Sequence, residues 1–146
     1  MYRILDLDNC IADDVHRFWL IDRGRQGEER YADYHAAAAS DALCNRDLLQ
    51  TNEQIIILTG RPVRYADTTI NWLRKHGIEY KYMIMRNKGD LRSSAELKRQ
   101  HVEWLIELYD VSLLEITSAF DDQQSVVDMY RSIGIAAEQR FINFRG

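Results

Sequence analysis

The chain has little to staple it together and nothing to anchor it. Only two cysteines, Cys10 and Cys44, occur in 146 residues. They lie apart, with no His or Cys at ligand spacing, which excludes a disulfide framework and a structural zinc site. One proline and seven glycines leave no Pro- or Gly-rich linker, low-complexity tract or repeat. No apolar run approaches the roughly 20 residues of a membrane-spanning helix, and Arg3, Asp6 and Asp8 interrupt the first one, so neither a signal peptide nor a membrane partner is expected. A reducing cytoplasm is the expected location. Excess positive charge is missing too: 19 Lys and Arg face 23 Asp and Glu, a net charge of −4 at pH 7. That argues against a protein that coats long nucleic acids through a basic surface. An anionic substrate must then be met by local cations or a metal ion. No Gly-x-x-x-x-Gly-Lys-[Ser/Thr] loop occurs, so no kinase domain is expected in this chain.

What is present is the make-up of an ordinary folded domain. With 46% apolar and 29% charged residues, the chain suffices for one core and not two, so a single domain over 1–146 is expected. Residues 2–7 form a short apolar run ending in Asp8-Asn9, which puts carboxylates at the C-terminal end of a strand. Ile55-Ile56-Ile57-Leu58 is the continuous run of a central parallel strand, and it stops at Thr59-Gly60-Arg61. Over residues 62–76, Val63, Ala66, Ile70 and Leu73 recur at helical spacing, with Pro62 in the first turn and Gly77 as the stop. Residues 79–85 read as a strand and 86–90 as a loop. Ser93 and Glu96 offer a capping box for a helix to Tyr109, with Leu105 and Leu108 facing the core. Residues 113–120 read as a strand delivering Asp121 and Asp122, 123–133 as a helix closed by Gly134, and 139–144 as a last strand. Between the first two strands, residues 15–21 and 27–49 are expected to form two helices joined by a loop. Strands alternating with helices predict an α/β fold, a Rossmann-like parallel sheet flanked by helices, with ligands beyond the carboxyl ends of the strands.

Three strand ends then share one rim: Asp6 with Asp8, Thr59 with Arg61, and Asp121 with Asp122. Lys98, near the start of its helix, can reach the same rim. Four crowded carboxylates repel unless countered, and a lysine with a divalent metal is the natural counter-charge. Hard oxygen ligands suit Mg²⁺.

Asp6-Leu7-Asp8, Thr59, Lys98 and Asp121-Asp122, in this order at strand ends, resemble the four motifs of the haloacid dehalogenase (HAD) superfamily of phosphatases. More closely, Ile57-Leu58-Thr59-Gly60-Arg61, the run from Met85 to Arg92 with Lys98 six residues on, and Asp121-Asp122-Gln123 with the run from Val126 to Gly134 resemble the 3′-phosphatase domain of phage polynucleotide kinases. The resemblance spans nearly the whole chain and is weakest from 12 to 49, where the superfamily inserts a small helical cap that selects substrate. It implies that Asp6 is the nucleophile, forming an aspartyl-phosphate, and that Asp8 is the general acid and base. It also implies that Thr59 and Lys98 hold the phosphoryl group, and that Asp6, the main-chain carbonyl of Asp8, and Asp121 and Asp122 hold Mg²⁺. Asn9 and Cys10 stand where the family has Gly and Thr or Val, and Ser94 where the phage enzymes have an aspartate. Altered fine geometry around an intact site is expected.

Taken singly, these residues have blander readings: a solvated turn for Asp6 and Asp8, a helix cap for Thr59 and for Asp121-Asp122. Their joint order favours the site. Arg61, Arg86 and Lys88 are expected to bind substrate phosphate; as isolated cations they would be solvated surface. Trp19, Tyr31 and Tyr34 are read as helix-packing core rather than base-stacking groups, and the four histidines as structural or exposed. The function that follows is Mg²⁺-dependent hydrolysis of phosphate monoesters on nucleic-acid 3′ ends. The alternatives are a nucleotidase acting on mononucleotides and a HAD-fold binding module without turnover.

Overall fold

Apolar runs too short to be helices pair side by side as a parallel sheet in the computed structural model. It describes residues 1–145; residue 146, the end of the expected domain, lies outside them. In chain order the elements are β1 (Tyr2–Leu5), β2 (Ala12–Asp13), α1 (Ala32–Ala36), β3 (Ala42–Leu43), β4 (Gln54–Pro62), α2 (Ala66–Lys75), β5 (Tyr82–Arg86), α3 (Ser94–Leu108), β6 (Ile116–Asp121), α4 (Gln124–Ser132) and β7 (Ala137–Gln139). The main sheet runs β5-β4-β1-β6-β7, every pair parallel. The expected α/β architecture is present, with β1 in the middle. Ile4 lies opposite Ile56 and Ala119, and Leu5 opposite Ile57 and Phe120. The residues that follow β1 are therefore flanked by the ends of β4 and β6.

Alternate strand residues point to opposite faces, and both faces are covered. Ile4, Ile56 and Leu58 pack with Val102 and Leu105 of α3 and Val126, Val127 and Tyr130 of α4. Leu5, Ile55 and Ile57 pack on the other side with Trp72 and Leu73 of α2 and with Leu48. Each such side chain contributes about 1.5–3 kcal/mol by burial, which fixes the register and with it the rim. Gly77, at φ +67, ends α2, where Ile78 N donates to Leu73 O (2.9 Å) and Gly77 N to Arg74 O (3.1 Å). Among the described residues no helix is long and apolar enough to cross a membrane.

Several boundaries differ from expectation, each for a local reason. β4 runs on through Thr59, Gly60 and Arg61 to Pro62, which pairs with Arg86 after a register shift, so α2 starts only at Ala66. Residues 113–115 form a turn rather than strand, because Ser112 and Glu115 make a complete capping box, and Leu114 stands 87% exposed. At α3, Ser93 Oγ accepts from Glu96 N (3.3 Å), but the Glu96 carboxylate meets the Ser93 hydroxyl. Leu105 is buried as expected; Leu108, past the inner face of α3, is exposed. The last strand ends at Gln139, and residues 140–145 leave the sheet to cross the 12–49 segment.

That segment departs most from the two expected helices. It holds single turns (Phe18–Leu20, Gly27–Tyr31, Ala38–Ser40, Arg46–Leu49), the five-residue α1, and a short antiparallel pair in which Ala12 faces Leu43. Gly27 (φ +64) and Asn45 (φ +46) break any helix there. Buried polar residues Asp14, Arg17 and Asp41 organise it instead.

Candidate active site

The carboxyl ends of β1, β4 and β6 meet as the topology requires. Asp6 follows β1 and is held there by its N–H, which donates to Phe120 O (3.1 Å). Asp121 ends β6, Asp122 follows it, and Thr59 lies buried in β4, its Oγ1 accepting from Arg61 N (3.1 Å). From α3, Lys98 reaches in with its ammonium buried. Its Nζ donates to Asp6 Oδ1 (2.8 Å) and Asp121 Oδ2 (2.6 Å).

Asp6, Asp121 and Asp122 bring one carboxylate oxygen each within 4.8 Å of one another. One ammonium does not balance three carboxylates. Burial, then the charge of Asp121, pushes the Asp6 carboxyl well above its ordinary value, and Lys98 only partly opposes this. The same two causes push Asp122 up to about 6. Burial alone would lower Lys98, but Asp121 and Asp6 overcome it and keep the ammonium charged. A cluster of hard oxygen donors short of positive charge fits a divalent cation such as Mg²⁺.

Asp8 belongs to a different neighbourhood. Its carboxylate is turned away from the trio and cannot share in its metal site through the side chain. Arg61 donates to it from Nε (3.1 and 3.2 Å) and Nη2 (2.7 Å), and Arg17 from Nη2. Its pKa is not raised by the neighbouring carboxylates. Burial pushes the group up, but Arg61 and then Arg17 hold it well below the usual carboxylate range. The raised carboxyls are those of Asp6 and Asp122.

Arg17 and Asp41 are the site residues that sequence reasoning missed. Asp41, fully buried, accepts from Arg17 Nε (2.8 Å) and Nη2 (2.7 Å), from His16 Nε2 (2.7 Å) and, at 3.5 Å, from Arg61 Nη2. Arg17 is sealed beneath the Tyr34 ring, 4.2 Å from its centroid. No sequence signal singles them out: Asp41 is one of eight acidic residues between positions 12 and 49, on the segment whose periodicity is poor.

The expected substrate cations are placed unequally. Arg61 is fully buried, its guanidinium spent on Asp8, Thr69 and Asp41. Arg86 lines the cleft, but its donors go to the carbonyls of Gly60 (3.0 Å), Asp90 (2.9 Å) and Arg92 (2.8 Å), pinning the loop after β5. Lys88 is exposed on that loop, away from the cleft wall. Of the aromatics, Tyr34 is buried as expected; Trp19 is 77% exposed and Tyr31 stands on the cleft wall, because no continuous helix buries them.

The residues that depart from the resembled motifs are accommodated around the rim. Asn9 adopts φ +59, the conformation that favours glycine. Its side chain donates to Asn143 O (2.8 Å) and Asp122 Oδ2 (3.2 Å). Cys10 is buried, and burial followed by the charge of Asp6 pushes its thiol up. Ser94 Oγ accepts from Gln123 Nε2 (3.3 Å), and Lys98 is aimed without an aspartate there. Above the rim opens a cleft of about 1220 Å³ between the Asp6–Lys98 floor, the 12–49 segment, the loop around Leu91 and Phe141 and Phe144 near the C-terminal end.

Residues 2–141 match the family described as the polynucleotide kinase PNKP phosphatase domain (HAD_PNKP). A chain of the Pnkp1/Rnl/Hen1 RNA repair complex is similar with TM-score 0.68 and 25% identity, over 94% of this chain and 41% of that one. A chain of a Pnkp1/Rnl/Hen1 complex gives TM-score 0.70 and 24% identity, over 99% and 46%. A hydrolase from Streptococcus pneumoniae TIGR4 shares the fold, with TM-score 0.57 and 13% identity over 94% and 90%. The chain thus spans less than half the length of the two repair-complex chains. No curated protein matches it.

Proposed function

Because this chain belongs to the family of polynucleotide kinase PNKP phosphatase domains, and is a phosphatase of the HAD type, we propose that it removes phosphate from nucleic-acid 3′ ends, with Mg²⁺ as cofactor. The observation that carries the reading is Lys98, held between Asp6 and Asp121 on the cleft floor with Asp122 beside them. In this reading Asp6 attacks phosphorus, the bond to the leaving 3′ oxygen breaks, and the aspartyl-phosphate is hydrolysed by water. Lys98 offsets charge on Asp6 and the phosphoryl group, and Thr59 donates its hydroxyl proton to a phosphoryl oxygen. Asp6, Asp121, Asp122 and the main-chain carbonyl of Asp8 would hold the cation, which supplies charge neutralisation at the phosphoryl oxygens.

Asp8 has to be protonated to release the 3′ oxygen and ionised to take a proton from water. The arginine clamp provides the second state. An incoming phosphate dianion competes for Arg17 and Arg61. Drawing either away lets burial raise the Asp8 carboxyl towards the protonated form. Arg61 meets substrate by this exchange, and Arg86 and Lys88 act on the chain leading away from it. Residues 12–49 serve as the small cap and contribute Arg17.

The cleft volume of about 1220 Å³ exceeds the roughly 300–1,000 Å³ of small-molecule pockets, which favours a nucleotide joined to its neighbour. The net charge of −4 favours the alternative, a mononucleotide substrate. Phosphate release is to be measured with and without Mg²⁺ on a 3′-phosphorylated oligonucleotide and on nucleoside 3′- and 5′-monophosphates. Mg²⁺-dependent release from the oligonucleotide, abolished in Asp6→Asn, is expected. Release that Asp6→Asn leaves unchanged would sink the mechanism, and release from mononucleotides alone would replace the substrate.

A further inference from the structure

α1 brings His35 to the wall of the same cleft that Asp8 lines. The ring is 8% exposed and packs among Tyr31, Tyr34 and Tyr65, with centroids 6.2, 5.0 and 5.4 Å away. Its Nδ1 is sealed without a partner among the described residues, so Nε2, which is not sealed, is the nitrogen the ring can offer to the cleft. Packing does not account for a histidine here. Phenylalanine would fill the same aromatic box and leave no polar atom unsatisfied, a defect that protein interiors seldom carry.

The charges facing the ring come from four elements: Asp8 after β1, Arg61 in β4, Arg17 in the 12–49 segment and Arg86 ending β5. Burial first, with the three cations against Asp8, holds the imidazole neutral, at about 4. A neutral imidazole has one donor and one acceptor. With Nδ1 sealed, Nε2 alone meets a ligand, as donor or as acceptor according to the tautomer; it is a weak partner for a phosphate dianion already faced by arginines, and a good one for a hydroxyl, which can take either part. Asp8 indicates which hydroxyl. In the function proposed above, on which this step rests, Asp8 protonates the leaving 3′ oxygen, and the adjacent carbon of a ribose carries the 2′-hydroxyl. We propose that His35 is a specificity-determining residue that hydrogen-bonds this 2′-hydroxyl, making the site selective for RNA 3′-phosphates over DNA 3′-phosphates.

The test compares kcat/KM on two oligonucleotides that differ only in whether the 3′-phosphorylated terminal nucleotide is ribo or deoxyribo. Wild type, His35→Phe and His35→Gln are assayed with Mg²⁺, and thermal melting checks that each variant folds. Wild type should prefer the ribo end by about tenfold or more. His35→Phe should lower the ribo value more than the deoxyribo value and bring the ratio towards one, and His35→Gln, which keeps a donor and an acceptor, should retain part of the preference. Equal wild-type rates, a preference that survives in His35→Phe, or equal losses on both substrates would overturn the assignment. Hydrolysis of neither oligonucleotide, with release from a mononucleotide, would overturn the 3′-end function and this assignment with it.

Discussion

Replacing Asp122 with asparagine is expected to make the metal-free protein more stable while making the enzyme inactive. The Asp122 carboxyl, ordinarily near 3.8, stands at about 6 in the folded chain because it is buried beside Asp121. A group raised in this way binds a proton that the unfolded chain has already released. Stability therefore falls as pH rises between 3.8 and about 6, and the whole penalty is present at pH 7.5. Its size is about 3 kcal/mol, an upper figure because water reaches part of this carboxylate. Asparagine removes the charge, and its carbonyl oxygen can still accept from Asn9 Nδ2, now 3.2 Å from Asp122 Oδ2. Urea denaturation in EDTA at pH 7.5 should show Asp122→Asn more stable than wild type by about 2–3 kcal/mol. Mg²⁺ at one hundred times its dissociation constant should then stabilise wild type by about 2.7 kcal/mol and the variant far less. A variant no more stable than wild type in EDTA, or one stabilised by Mg²⁺ as strongly, would refute the view that this trio is short of positive charge and binds a cation.

Arg17→Ala should cost about 3–5 kcal/mol, since it leaves the buried Asp41 carboxylate with His16 and a distant Arg61. It should also lower kcat/KM by about a hundredfold or more through Asp8; denaturation and phosphate release measure the two, and a loss below about 1 kcal/mol would show that the network is not buried in solution. His101 is fully buried with both ring nitrogens unpartnered among the described residues, and burial, then Lys98, pushes it down to about 3. The unfolded chain binds a proton there below about 6.5 and the folded chain does not, so this group removes stability as pH falls through that window. His101→Leu should shrink the stability difference between pH 7 and pH 5 by about 2 kcal/mol; an unchanged difference would mean that the ring is protonated or hydrated in the fold. Ile57→Ala, in the middle of β4, should cost about 2–5 kcal/mol in denaturation without abolishing phosphate release, and loss of release in protein that is still folded would contradict its placement in the core.

Much of the floor of the site was legible because a parallel sheet turns strand order into spatial order. Asp6, Thr59 and Asp121 each sit at or near the end of an apolar run, so naming three strands was enough to bring them together. Lys98 followed from its place early in a helix. The clamp on Asp8 was not legible, because Arg17 and Asp41 are 24 positions apart on a segment without regular structure, and no periodicity links two residues that meet only after folding. The boundary errors have a related origin. Residues 113–115 are apolar enough for strand, but the Ser112 and Glu115 caps act on the backbone directly and decide the turn. Arg61, read as a cation for substrate, shows the same limit: the sequence places it one rim position from Asp8 but does not say that the two will neutralise each other.

Asp6 and Asp8 are two residues apart, and the different roles proposed for them follow from what the fold sets against each. α3 aims one lysine at Asp6, which it shares with Asp121, and the balance stays negative, so that carboxyl is raised. The 12–49 segment and β4 aim two arginines at Asp8, the balance is positive, and that carboxyl is lowered. Environments that drive two titratable groups apart are how one site separates its acid–base work from its other carboxylate chemistry. Here the separation depends on Arg17, contributed by the segment that matches the resembled motifs least. In the function proposed, changes in that segment bear on the chemistry at Asp8 as well as on the choice of substrate, and single variants tell the two effects apart: Arg17→Ala should act through Asp8 on every substrate, whereas His35→Phe should act on the ratio between them.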